Sequence, residues 1–391
     1  MELSIVTAEA QRRVHADSEH VPGEGESAFG ARRLRGCAAR AQARSSASRA
    51  GVQTGAGREP PAAVRTAPRC STGVGFAAFV IALAAPGAVR ADEGGVPFWF
   101  SGQYSSMSAV PPTPGWTVTL MPYYYRGSAD ASTTFARGNT LVTDLDTRSS
   151  LLIGQASYAP ATKVFGAQPM IGLGWGFGSN TTSARISSEL ASGVVQPETS
   201  DSVRGGTDLY PIVALYWNSG NHNAMTYLTG DIPVGAYNAK RLANIGIGHA
   251  AIDAGGGYTY LNQSTGVEAS AVAGITYNWR NPDTDYRNGI DSHLDWAASQ
   301  FLSKSWQVGI VGYVYYQLSN DTYPTDGAVG AARQRLLGGF RSRVASVGPE
   351  VGYLFRVGDK TAYLNVRGYW EFWARDRPEG YALFATLDLP F

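Results

Sequence analysis

From Gly115 to the last residue, apolar and polar side chains change places at every second position over segment after segment, and no stripe of period 3.6 competes with them. Period two is the mark of extended chain, because successive Cβ atoms leave a strand on opposite faces. The pattern predicts strands near 116–126, 148–160, 166–178, 207–218, 222–233, 249–261, 266–279, 290–302, 305–319, 341–356, 361–373 and 381–391. Twelve is an even number, so the two ends of such a meander lie on the same side.

The faces are unusual. In 361–373, Ala362, Leu364, Val366, Gly368, Trp370 and Phe372 alternate with Tyr363, Asn365, Arg367, Tyr369, Glu371 and Trp373. In 305–319, Trp306, Val308, Ile310, Val314 and Tyr316 oppose Gln307, Gly309, Val311, Tyr313, Tyr315 and Gln317. A soluble sandwich would carry Lys, Glu and Thr at many exposed sites, whereas here the polar face mixes Tyr, Asn, Gln and Gly with sparse charge, which suits a polar lumen inside an apolar wall. Trp217, Tyr260, Trp279, Trp306, Tyr353 and Trp370 stand near strand ends, where interfacial aromatics belong.

The links sharpen this reading. Short ones, NSGN at 218–221, NQSTG at 262–266, SKS at 303–305 and VGDK at 357–360, alternate with long ones at 180–206, 234–248, 280–289 and 320–340. Short periplasmic turns and longer outer loops are the habit of outer-membrane barrels, and strands can cross lipid only in a closed sheet. The expected fold is all-β: a transmembrane antiparallel up-and-down barrel of about twelve strands at 116–391, in the bacterial outer membrane. The final strand, GYALFATLDLPF, ends on Phe391 and resembles the C-terminal signature read by the barrel-assembly machinery, which makes that machinery an expected partner through Phe391.

The front of the chain differs in kind. Residues 1–63 are rich in Ala, Arg, Gly and Ser without apolar period, and read as a disordered extension or a mis-assigned start. At 64–91, basic residues in RTAPRC precede an apolar run from Val74 to Ala85 and the small residues Val89 and Ala91, the pattern of a secretory signal peptide cleaved after Ala91. Both cysteines, Cys37 and Cys70, precede Ala91, so neither a disulfide framework nor a thiolate metal site is expected beyond it. With 12 of 32 basic and 7 of 31 acidic residues in that front part, the remainder holds 20 basic against 24 acidic. Such a mildly acidic body excludes nucleic acid as a partner.

Residues 92–115 precede the first strand, and the Val96 to Pro114 part is apolar, aromatic and proline-punctuated. Two readings stand: a plug that enters the barrel from the periplasmic side, with Phe98, Trp99 and Phe100 as its bulk, or a loose periplasmic tail. Alternation aims an ionisable set into the lumen: Asp208, Asp231, Asp253, Glu268, Asp291, His293, Asp295, Glu350, Arg367, Glu371 and Asp388. They read either as a structural salt-bridge network or as the lining of a water path that disfavours anions. Tyr123, Tyr125, Tyr313, Tyr315 and Tyr369 would line a solute path, and Arg341 and Arg343, on the lipid side near the outer rim, would meet lipopolysaccharide phosphates. In DSHLDW, at 291–296, His293 sits between carboxylates on its own face, but no nucleophile motif accompanies it. GGGY, at 255–258, precedes no helix and is not a phosphate loop. No catalytic, cofactor or metal residues are expected.

The stretches FWFSGQYSSMSAVPPTPGW (98–116), DIPVGAY (231–237), HAAIDAGGGYTYLN (249–262), NPDTDYRNGIDSHLDWAASQFLS (281–303) and GYWEFWARDRPEGY (368–381) resemble those of a proteobacterial family labelled MetA-pathway of phenol degradation. The resemblance spans about Val96 to Phe391. It implies a non-enzymatic outer-membrane transporter for small hydrophobic or aromatic compounds, surrounded by outer-membrane lipid and lipopolysaccharide; a general small-solute porin or a structural barrel is the alternative, and an outer-membrane hydrolase a more distant one.

Overall fold

The computed structural model describes residues 94–130, 135–137, 140–186, 198–322 and 341–391; the expectations for residues 1–63 and for the signal peptide at 64–91 fall outside them. Fourteen strands follow in chain order: β1 (Gly115–Ala129), β2 (Phe135–Arg137), β3 (Thr140–Ala159), β4 (Gln168–Ile186), β5 (Glu198–Gly206), β6 (Tyr210–Ser219), β7 (His222–Asp231), β8 (Ala251–Asn262), β9 (Val267–Asn278), β10 (Asp291–Phe301), β11 (Trp306–Gln317), β12 (Arg343–Val357), β13 (Lys360–Arg375) and β14 (Glu379–Pro390). Each pairs antiparallel with its neighbours, and β1 closes the ring by pairing with both β3 and β14. Val118 lies opposite Leu389, and the Phe391 amide donates to the Trp116 carbonyl at 2.7 Å, so the last residue is stitched into the seam.

The barrel wall has twelve staves. β2 is a short flap on the outer end of β3, while β5 and β6 share one stave against β4. Two expectations are corrected here. The supposed loop at 180–206 is largely strand, because β4 runs on to Ile186 and pairs with β5 as a ribbon beyond the membrane; its Thr and Ser side chains make cross-strand bonds such as Thr181 to Ser202. The stave expected from residue 207 carries a bulge, since Thr207 still bonds Gly176 and Leu209 pairs with Ile232, but Asp208 between them stands outside the pairing and the register against β4 slips by one. There the Asp208 carboxylate accepts from the amides of Gly235 and Ile247 and pins the folded-in β7–β8 loop.

The burial pattern is inside out relative to a soluble protein. Leu152, Ile171, Trp175, Ile310, Val366 and Leu383 stand about half exposed on the outer wall, whereas Asp253, Glu268, Asp295, Glu350 and Arg367 are 2% exposed or less inside it. In lipid this is the stable arrangement, because hydrocarbon replaces water outside and every backbone group is satisfied within the closed ladder. Aromatic pairs rim the turn end, Trp306 on Tyr353 at 4.6 Å and Trp116 on Tyr158 at 5.1 Å, and the loop end, Tyr277 on Trp279 at 5.3 Å. One alternation fails: Trp373, expected inside, has φ of 60° and turns outward, where the Arg343 guanidinium lies 4.4 Å from its ring centroid. The left-handed residue shifts parity by one and re-aims the aromatic at the outer rim.

Candidate functional site

Residues 94–114 lie inside the barrel. Gly94 and Val96 exchange backbone bonds with Asn244 and Ile245 of the β7–β8 loop, which belongs to the outer end. From there the segment descends to Gly115 at the turn end. Apart from two turns, Gln103 to Phe100 and Val110 to Met107, it has no helix or strand to satisfy its amides and carbonyls, and lumen side chains do much of this instead.

The tightest grip falls on residues 102–104. Asp295 accepts from the amides of Gly102 at 2.9 Å and Tyr104 at 3.2 Å, while Arg367 donates to the carbonyls of Gly102 at 3.0 Å and Gln103 at 2.8 Å. The Tyr369 hydroxyl is a second donor to the Gly102 carbonyl, at 3.0 Å. A carboxylate for the amides and a guanidinium for the carbonyls form a clasp of charge-assisted bonds. Gly102 is required in it: its φ is 85°, and a Cβ there would stand 2.7 Å from the Tyr369 ring and 2.9 Å from that of Tyr313.

Below the clasp, Glu268 accepts from the Met107 amide at 2.9 Å and the Ser299 hydroxyl at 2.6 Å. Glu350 receives the Ser106 hydroxyl and, at 3.0 Å, the Asn365 amide; Thr259 Oγ1 accepts from the Ala109 amide at 3.0 Å. Beside the clasp, the Trp99 ring stacks on His293 with centroids 3.5 Å apart, and His293 Nε2 in turn meets Asp253 at 3.0 Å. Above it, Glu371 accepts from the hydroxyls of Tyr125 at 2.9 Å and Tyr313 at 2.8 Å, and Asp291 accepts from Tyr315 at 2.7 Å. Arg377, on the β13–β14 turn, lies 3.6 Å from Glu371 and over the Tyr315 ring. Phe100 completes the fill edge-on to Tyr123.

The lumen-facing acids thus divide their oxygens among the inserted segment, tyrosine hydroxyls and neighbouring Ser, Thr, Asn and His side chains, and Arg367 spends its donors on backbone carbonyls, Asn365 and Thr386. Asp388 sits at the turn end and accepts from Thr119, and Asp231 is buried where β7 ends. Neutral partners escaped the sequence reading: Ser106, Ser299, Thr259, Asn365 and, higher up, Asn180, whose amide reaches the carbonyls of Gly94 and Asn244. The signal was available, since all but Ser106 occupy inward positions of the same alternation. Among the described residues, no group of three or more His, Cys, Asp and Glu side chains is arranged to hold a metal.

The segment divides the remaining space. Toward the outer end lies a cavity of about 80 Å³ lined by Phe100, Tyr123, Tyr125, Tyr313, Tyr315, Glu371 and Arg377. Toward the turn end, a larger one of about 470 Å³ separates the segment from β1, β3, β4 and β6.

Comparison with known proteins agrees with this architecture. The sequence model of the family described as "Putative MetA-pathway of phenol degradation" matches residues 131–387. Among solved structures, the chain is similar to the COG4313 outer membrane channel from Pseudomonas putida F1, with a TM-score of 0.54 at 12% identity over 73% of this chain and 98% of that one. A Pseudomonas aeruginosa FadL homologue aligns with a TM-score of 0.31 at 12% identity, over 78% of this chain and 98% of that one. No curated protein matches the chain in sequence.

Proposed function

The chain belongs to this phenol-degradation family and is a bacterial outer-membrane β-barrel of the channel type; on that premise we propose that it admits small hydrophobic or aromatic solutes by passive diffusion. The observation that carries this reading is the filling of the bore. An aromatic segment, Phe98-Trp99-Phe100, occupies the lumen between two cavities whose walls present rings and methyl groups as well as polar atoms. A bore built for water-filled diffusion would leave an open aqueous column, whereas alternating aromatic and hydrogen-bonding surface suits solutes that shed their hydration. In this reading the segment is the gate, Tyr123, Tyr125, Tyr313 and Tyr315 line the entry above it, and Tyr369, expected on the same path, instead holds the segment at Gly102.

A hydrolase is disfavoured by His293, whose Nε2 faces Asp253 and Tyr227 rather than a serine. In the same reading, Phe391 is what the barrel-assembly machinery engages, and Arg341 and Arg343 at the outer rim contact lipopolysaccharide phosphates. The test is uptake by proteoliposomes carrying the full chain. Labelled toluene or phenol should enter faster than into protein-free vesicles, while a sugar of similar size stays out. Equal entry of both would make the barrel a general porin, and entry of neither would make it a scaffold. Replacing Phe98, Trp99 and Phe100 together with serine should raise leak conductance, and unchanged conductance would reject the gate.

A further inference from the structure

The larger cavity is built differently from the rest of the lumen. On its barrel side Met121, Ile153, Met170, Ile212 and Tyr216 project inward, and Phe98 and Phe100 of the segment close it from above. Across β4 the inward positions 172 and 174 are glycines, while Leu173 and Trp175, alternating with them, face lipid. A Cβ at Gly174 would stand 3.4 Å from Tyr210 Cβ, an ordinary contact, so this one position, unlike the tighter Gly172, leaves room that a side chain could fill. Among the described residues lining the cavity, Asp388 is the one with a formal charge, and it lies at the turn end beside Pro390. Gln155, Thr229, Tyr363, Asn365 and several Ser and Thr hydroxyls make the rest of the lining a source of uncharged hydrogen-bonding groups.

We infer that this cavity is a solute-binding site for one neutral, flat hydrophobe of about two fused rings carrying a hydroxyl or similar group. The inference rests on the channel reading above and specifies where within it a solute pauses. Size follows from volume: a dry cavity of roughly 150 Å³ takes one benzene, so about 470 Å³ leaves a single ring loosely packed and accommodates a bicyclic one with its substituent. Uncharged hydrogen-bonding groups suit a neutral solute, and an anion finds no counter-charge for its lost hydration in this wall while the carboxylate of Asp388 at the mouth repels it. Residues 102–109 stay clasped to the opposite wall while the solute sits beside them, so gating falls to the Phe98-Trp99-Phe100 stretch above.

Trp99 provides the readout, because it lines the cavity and is 5% exposed, whereas Trp116, Trp175, Trp306 and Trp370 stand on the lipid face. The full chain in lipid nanodiscs is titrated with 2-naphthol, phenol and 2-naphthoate, and the quenching seen in a Trp99→Phe variant is subtracted as lipid background. The expected result is saturable quenching by 2-naphthol, at least tenfold weaker for phenol and for 2-naphthoate, and weakened at least tenfold by Gly174→Leu. Ile212→Phe, which fills the same space from β6, serves if Gly174→Leu loses the heat-modifiable gel mobility of a folded barrel. Quenching that does not saturate, or that both filling variants leave unchanged, overturns the site. Uptake of 2-naphthol without saturable quenching would reject the site and keep the channel; saturable quenching without uptake would reject the channel reading and keep the site.

Discussion

The two halves of the lumen make opposite use of the same inward positions. Along β8 to β13 these positions carry Asp253, Glu268, His293, Asp295, Glu350 and Arg367, and every one of them touches the inserted segment or a group that does. Along β1, β3, β4 and β6 they carry Met121, Ile153, Gly174 and Ile212; here the segment leans its Phe98 and Phe100 rings on Tyr123 and Tyr210, and below them a cavity of about 470 Å³ parts it from the wall. Backbone that lacks secondary structure needs directional, charge-assisted partners, so it settles against the wall that has them. The wall without them is left free for apolar contact. The difference teaches that position within the bore is decided by hydrogen-bonding capacity rather than by shape.

Breaking the charged wall should therefore cost far more than altering the other. Arg367→Ala removes two carbonyl bonds from a buried cation, at about 1.5–3 kcal/mol each, and is expected to lower stability by roughly 3 kcal/mol. Urea unfolding in lipid vesicles measures the loss, and exposure of residues 94–114 to protease should rise with it; a midpoint within error of wild type would show that the clasp does not hold the segment. Gly102→Ala, which forces a methyl onto the Tyr369 ring at positive φ, should follow at about 2 kcal/mol. Tyr369→Phe deletes one neutral hydrogen bond and should cost about 1 kcal/mol. Ile153→Val on the opposite wall borders space that is already open, and its effect on the same midpoint should stay below about 1 kcal/mol.

A smaller effect is expected outside the membrane, where neither wall reaches. Burial in the β13–β14 turn raises the Asp376 carboxyl to about 6, with Arg375 at 3.5 Å only partly offsetting it. An acid whose folded value is raised holds its proton better folded than unfolded, so its contribution is full below the ordinary carboxylate range and declines as pH rises to about 6. The urea midpoint should fall over that window in the wild type, and Asp376→Asn should flatten the fall. An unchanged slope in the variant would assign the pH dependence to other groups.

Much of the barrel was legible because its signal is local. Side-chain direction alternates with every residue along a strand, so period two alone revealed the staves, the apolar outer wall, the inward set from Asp253 to Glu371, and the even count that puts both ends on one side. It failed at the points where backbone conformation changes parity or pairing without a change of composition. Trp373 turns outward on a positive φ, Asp208 bulges out of the ladder, and the β4–β5 ribbon is built from Thr, Ser and Asn that read equally well as a loop.

The inserted segment marks the boundary between the two kinds of knowledge. By itself the sequence determined that residues 96–114 are no strand and that a chain of this pattern closes in lipid, since both follow from neighbours in the chain. Only the tertiary structure decided that the segment lies in the bore and which wall it prefers. Its bonds to Asp295, Glu268 and Arg367 join residues more than 150 positions apart, and contacts at that range arise from ring closure, which no local period encodes.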